Sequence, residues 1–143
     1  MSAAEELKAR IDTIEESYEF FLAYAAQGVS GDQATKSSGQ VREFLQRSET
    51  AVPELADLFV KVVEEQQADQ PQFYRDFIDV LRRDAADALS AIRLVLAQRS
   101  ISSQMVDNLN AMIHLRALLT DVFLIDEILS PRATGTATPP ASP

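Results

Sequence analysis

Hydrophobic residues recur at helical spacing in four long stretches of the chain. In the first stretch the spacing alternates between four and three residues, through Leu7, Ile11, Ile14, Tyr18, Phe21 and Ala25. This spacing predicts one apolar face of a helix. Ser2 and Glu5 fit a capping box at its start, and Gly28 suits a left-handed C-terminal cap. The pattern therefore predicts a helix over residues 3–27.

The second and third stretches are separated by residues that end helices. The second runs from about Val41 to Val63, with Pro53 inside it. Because proline removes a helical hydrogen bond and clashes with the preceding turn, we expect a break or kink near residues 50–53. A polar hinge follows, and Pro71 is suited to the first turn of the next helix. The third helical region then runs to about residue 98.

The last stretch, residues 105–129, is predicted to be one central helix. Between residues 112 and 125 the apolar run is interrupted only by His114, Arg116, Thr120 and Asp121. Apolar residues therefore lie on nearly every side, whereas a surface helix carries one apolar stripe. The stretch is too polar to span a bilayer, which needs about 20 consecutive apolar residues. We expect its own chain to cover one side and a second copy to cover another.

Together these patterns predict an all-α protein, an up-down helical bundle of four long helical regions with the second broken or kinked near Pro53. Residues 1–130 are predicted to form a single helical-bundle domain. Residues 131–143 are rich in proline, alanine and threonine. Because such a segment has little to bury, we expect a disordered tail.

Charge and composition narrow the classes of function. The chain has 22 acidic and 13 basic residues, giving a formal net charge of −9, which repels phosphates and anionic lipids. We therefore expect neither nucleic acid nor a membrane as partner. The absence of cysteine excludes disulfides, zinc–thiolate sites and thiol catalysis. The first residues lack a secretory signal pattern, so a cytoplasmic location is expected.

The sequence contains no motif for catalysis, a cofactor or a metal, and we predict none of them. The single histidine, His114, shares a polar stripe with Asp107, Asn110 and Asp121, but each aspartate lies about 10 Å away along the helix axis. Di-iron bundles need two Glu-x-x-His motifs, which one histidine cannot supply. An acidic cluster in the first helix is interpreted as a solvated face: Asp12, Glu15, Glu16 and Glu19.

The first functional hypothesis is a non-enzymatic protein–protein interaction module, a homodimer that acts as an assembly or regulatory accessory protein. It depends on a second apolar face of the last helix, predicted as the dimer or partner interface: Leu115, Leu118, Val122 and Ile125. The opposite side, assigned to the core, carries Leu109, Met112, Leu119 and Phe123. Monomers avoid exposing patches on the order of several hundred Å². The pattern does not distinguish a homodimer from a heteromeric complex, and it also allows the hinge region near residue 67 to cover this face within the same chain.

The alternative hypothesis is a small-molecule-binding or sensory bundle with a pocket between helices. Such a pocket needs a few polar contacts, and the candidates are Tyr18, Tyr24, Tyr74, His114 and Arg116. Apolar residues flank Arg116, so it is predicted to pair with an acidic residue, to contact an anionic ligand or to extend its charge to the surface. The pathway and the partner leave no signature in the sequence.

Overall fold

The structure, a computed structural model, describes residues 1–30 and 36–129, with backbone only at residues 36 and 37. Within these ranges the chain forms six helices and no strand. They are α1 (Ala3–Gln27), α2 (Lys36–Ala51), α3 (Leu55–Glu65), α4 (Pro71–Leu96), α5 (Ser103–Ala111) and α6 (Ile113–Leu129). The all-α prediction is confirmed, although two of the four predicted regions are each divided into two helices. The predicted tail, residues 131–143, lies outside the described residues.

The ends of α1 lie where the sequence signals place them. The Glu5 amide donates to Ser2 Oγ at 3.1 Å, and the Ser2 amide donates to Glu5 Oε1 at 3.0 Å, which completes the capping box. At the other end Gly28 adopts a left-handed conformation with φ of 68°, which glycine tolerates without steric cost. Both ends are thus set by local residues.

The break between α2 and α3 lies at residues 52–54, around Pro53, as predicted. Glu54 adopts a positive φ of 72° there. Arg10 of α1 closes this break, because its Nη1 donates at 2.6–3.2 Å to the carbonyl oxygens of Thr50, Ala51 and Pro53. A guanidinium satisfies the unpaired carbonyls at a helix C-terminus and interacts favourably with the helix dipole.

A second break at Met112 was not predicted, and the expectation of a single helix over residues 105–129 is wrong. Met112 is extended, with φ of −63° and ψ of 137°, although neither proline nor glycine lies nearby. The two parts have different neighbours, since α5 packs mainly against α1 and α6 against α4. One extended residue allows each part to follow its own neighbour.

The α1–α2 pair and the α4–α6 pair each run antiparallel. Tyr24, near the end of α1, contacts Ser38 near the start of α2, whereas Arg10 reaches the end of α2. In the same way, Phe73 near the start of α4 shares a groove with Ile128 near the end of α6. All six helices contribute to one buried apolar cluster, so α6 packs as part of the common core.

Candidate functional site

The four residues predicted as a partner interface are buried in the core of their own chain. Leu115, Leu118, Val122 and Ile125 are each at most 3% exposed. The interface prediction at these residues is therefore wrong. Two residues assigned to the core, Met112 and Phe123, are exposed instead. The faces were misassigned because a helix with apolar residues on nearly every side does not itself specify which side turns inward.

The surface of α6 nevertheless carries a row of mainly apolar residues, which we call the outer strip. It consists of Ile113, Ala117, Thr120, Leu124 and Ile128. At 3.6 residues per turn these positions lie within about 80° of one another around the helix. Ile113 is 72% exposed, Leu124 53% and Ile128 52%. The four- and three-residue spacing of the first four positions is typical of a helix-pairing seam.

A groove between α4 and α6 extends this apolar surface at one end. It has a volume of about 290 Å³ and apolar walls that include Phe73, Phe77, Leu124 and Ile128. Phe73 is 61% exposed, although burying a phenylalanine side chain is worth about 1.5–3 kcal/mol. The outer strip and this α4–α6 groove therefore form one continuous exposed apolar surface.

Two opposite charges lie beside the outer strip. Arg116, for which an acidic partner, an anionic ligand or a charge extended to the surface was predicted, is exposed, and its side chain forms no hydrogen bond or ion pair within the described part of the chain. Glu127 is also exposed. Thr120 lies between these two residues in the sequence, and its Oγ1 donates to the Arg116 carbonyl at 3.0 Å. Because this hydroxyl is satisfied within the helix, covering Thr120 carries little desolvation cost.

His114 is exposed and lies beside a carboxylate that the sequence stripe did not indicate. Its Nδ1 is 3.8 Å from Asp87 Oδ2 on α4, which is outside hydrogen-bond distance. Neither Asp107 nor Asp121, on its own polar stripe, pairs with it in the structure. An exposed pair of this kind contributes little to stability, and it provides no arrangement for catalysis.

The candidate tyrosines have separate roles and do not line one pocket. Tyr24 is fully buried, and its hydroxyl donates to the Ile101 carbonyl at 2.6 Å. Tyr18 is half-buried against the core, whereas Tyr74 lines the α4–α6 groove. Arg116 lies on the surface of α6. The ligand pocket predicted from these residues is therefore not assembled.

A pair of carboxyl groups joins α4 to α6. Burial raises the pKa of Asp121 to about 7, and the neighbouring Asp84 adds to the increase. Asp121 Oδ2 is buried without a donor among the described residues. Two carboxyl groups hydrogen-bond only when one of them holds a proton. The sequence did contain a signal for Asp84, which lies three residues after Leu81 and four before Ala88, both on the buried face of α4.

Sequence reasoning also missed two polar connections between helices. Arg42 on α2 donates at 2.9 Å to the carbonyl oxygens of Leu96 and Gln98 at the end of α4, much as Arg10 closes the end of α2. Ser103 at the start of α5 donates to the Tyr24 carbonyl at 2.6 Å. These contacts join residues 54–79 positions apart in the sequence, so no local pattern reveals them.

The acidic residues of α1 are only partly explained as a solvated face. Asp12 and Glu19 are exposed, and Lys8 Nζ lies 3.2 Å from Asp12 Oδ2. Glu15 is half-buried, and burial raises its pKa, with further contributions from Asp12 and Asp126 on α6. Across residues 1–30 and 36–129, no three histidine or acidic residues are grouped so that they could hold a metal ion.

Comparisons with protein-family models, curated proteins and solved structures find no match for this chain. None of the described helices is both long enough and apolar enough to cross a membrane. Function must therefore be inferred from the surfaces of the described residues, among which the outer strip and the α4–α6 groove expose large leucine, isoleucine and phenylalanine side chains.

Proposed function

We propose that this chain is a non-enzymatic helical protein–protein interaction module that functions as a homodimer, in an assembly or regulatory accessory role. Its contact surface is the outer strip of α6 together with the α4–α6 groove. The observation that supports this proposal is the exposure of half or more of Phe73, Ile113, Leu124 and Ile128 along one continuous surface. Soluble monomers rarely expose large contiguous apolar surfaces of this kind.

The shape and chemistry of the surface favour a helix as its partner. The strip repeats at helical spacing, as expected of a face that packs against another helix. Its central members, Ala117 and Thr120, are small and allow another backbone to approach closely. Covering a half-exposed leucine or isoleucine gains roughly 1 kcal/mol, so several such residues on each of two chains favour association. A second copy presents the same apolar helical face.

The proposal includes no enzymatic activity because the polar candidate residues are dispersed and do not converge on one site. His114 and Arg116 lie on the surface of α6, whereas the hydroxyl of Tyr24 is used within the core. Catalysis needs a base, a nucleophile or an electrophile directed at one place. The net charge of −9 likewise favours a protein partner over nucleic acid.

Light scattering coupled to size-exclusion chromatography tests the proposal directly. We expect the full chain, at tens of micromolar, to have about twice the 15.8 kDa mass of one copy. Leu124→Glu places a charge in the strip and should shift the protein to the mass of one chain with its helical content retained.

Leu22→Glu is the matched control. Leu22 is a 48% exposed leucine on α1, so the same substitution there should leave the mass of the dimer unchanged. A wild-type protein that keeps the mass of one chain across this concentration range contradicts the proposal. So does a dimer that Leu124→Glu leaves intact.

A further inference from the structure

The charges beside the outer strip indicate how two copies would pair. Arg116 and Glu127 are 11 residues apart, which is about three turns and about 16 Å along the helix. After three turns the two side chains differ by only about 20° around the axis, so both lie on the same edge of the strip. Both are exposed, and the Arg116 side chain has no partner within the described part of the chain.

We infer that two copies of α6 pair antiparallel about a two-fold axis, with Arg116 of each copy opposite Glu127 of the other. This inference rests on the proposed function, since it assumes that the chain forms a homodimer through the outer strip. The axis passes midway between residues 121 and 122. Because a two-fold pairing uses each contact twice, one dimer contains two such ion pairs.

The sizes of the strip residues fit the same arrangement. The middle of the strip carries the small residues Ala117 and Thr120, whereas its C-terminal part carries Leu124 and Ile128. In the antiparallel register, Leu124 of one copy lies level with the gap between Ala117 and Thr120 of the other. Ile128 lies level with the gap between Ile113 and Ala117. Large side chains thus meet small ones, which is how packed helices fill space.

Parallel pairing lacks both features. It would place each residue level with its own copy but on the opposite edge of the pair, so that Arg116 of one copy would not face Glu127 of the other. Ala117 would face Ala117 and leave a space, while Leu124 would face Leu124. The antiparallel register also brings the first turn of one α6 towards Phe73 of the other copy, which accounts for the exposed groove at the end of the strip.

Exchange of the two charges tests this register. Arg116→Glu and Glu127→Arg should each weaken dimerisation about tenfold or more in sedimentation equilibrium, because each places like charges together twice in every dimer. The double variant Arg116→Glu/Glu127→Arg restores opposite charges and should return the dissociation constant to within about threefold of wild type. Arg83→Glu and Glu19→Arg change exposed charges elsewhere and should have no comparable effect.

Disulfide trapping provides an independent measurement, because the natural chain contains no cysteine. Mixing the Arg116→Cys and Glu127→Cys variants under oxidising conditions should give covalent dimers that contain one chain of each. Each variant alone should give little covalent dimer, since its two cysteines lie about 16 Å apart along the pair. Parallel pairing predicts no such mixed dimer, because residues 116 and 127 would then lie about 16 Å apart along the pair.

These outcomes separate the register from the function. A wild-type dimer in which the single charge variants have no effect, or in which the double variant is weaker than either single one, overturns the antiparallel register and leaves homodimerisation in place. Covalent dimers formed by each cysteine variant alone also overturn it. A wild-type chain that stays monomeric contradicts the proposed function itself, and the register with it.

Discussion

The carboxyl pair between α4 and α6 predicts that Asp121→Asn makes the protein less sensitive to pH. In the folded chain, burial and the neighbouring Asp84 raise the pKa of Asp121 from 3.8 to about 7. Asparagine keeps the size of the side chain, carries no charge at any pH and can donate a hydrogen bond to Asp84. The substitution therefore mimics the protonated form of Asp121.

The sign of the effect follows from proton binding. Between pH 3.8 and about 7 the folded state holds a proton on Asp121 that the unfolded state has released. Stability therefore falls as pH rises through this window, by at most about 1.4 kcal/mol per pH unit, and the loss is complete above pH 7. Over the whole interval from pH 3.8 to about 7, the loss of stability has an upper limit of about 4 kcal/mol. Because the carboxyl group is only partly shielded from solvent, we expect about 1–2 kcal/mol.

Urea denaturation at about pH 4 and about pH 8, at one fixed protein concentration, measures this effect. Asp121→Asn should match wild type at the lower pH and exceed its free energy of unfolding by about 1–2 kcal/mol at the higher pH. Asp107→Asn makes the same charge change at an exposed site on α5 and should follow the wild-type pH dependence. If Asp121→Asn and wild type showed the same pH dependence of stability, the proton that the folded chain is expected to hold on Asp121 beside Asp84 would be refuted.

Three further substitutions test the internal contacts by urea denaturation. Arg10→Ala removes the donor to the carbonyl oxygens at the end of α2 and should lower the free energy of unfolding by about 1.5–3 kcal/mol. An unchanged free energy of unfolding would show that water replaces the guanidinium at these carbonyls. Tyr24→Phe should cost about 1–3 kcal/mol by depriving the buried Ile101 carbonyl of its donor, and a neutral result would contradict that hydrogen bond. Leu118→Ala should lower the free energy of unfolding by about 2–5 kcal/mol, whereas Leu22→Ala should lower it by less than about 0.5 kcal/mol. Similar small losses in both variants would contradict the burial of Leu118.

The sequence by itself determined the features that depend on neighbouring residues. The capping box at Ser2, the left-handed Gly28 and the break around Pro53 were all predicted, and all lie where expected. Each follows from steric or hydrogen-bonding limits that act within one or two turns. The same local patterns were sufficient for the all-α class.

Only the tertiary structure decided which face of α6 is buried and where the last helical region breaks. The apolar residues of α6 surround it, so its own pattern does not favour Leu118 over Leu124 as a core residue. That choice depends on the neighbouring helices, because burial stabilises whichever side they cover. Asp84 and Asp121 are likewise brought together by the packing of α4 on α6. Contacts between residues that are distant in sequence depend on how the whole core packs, so the spacing of residues along one helix does not predict them.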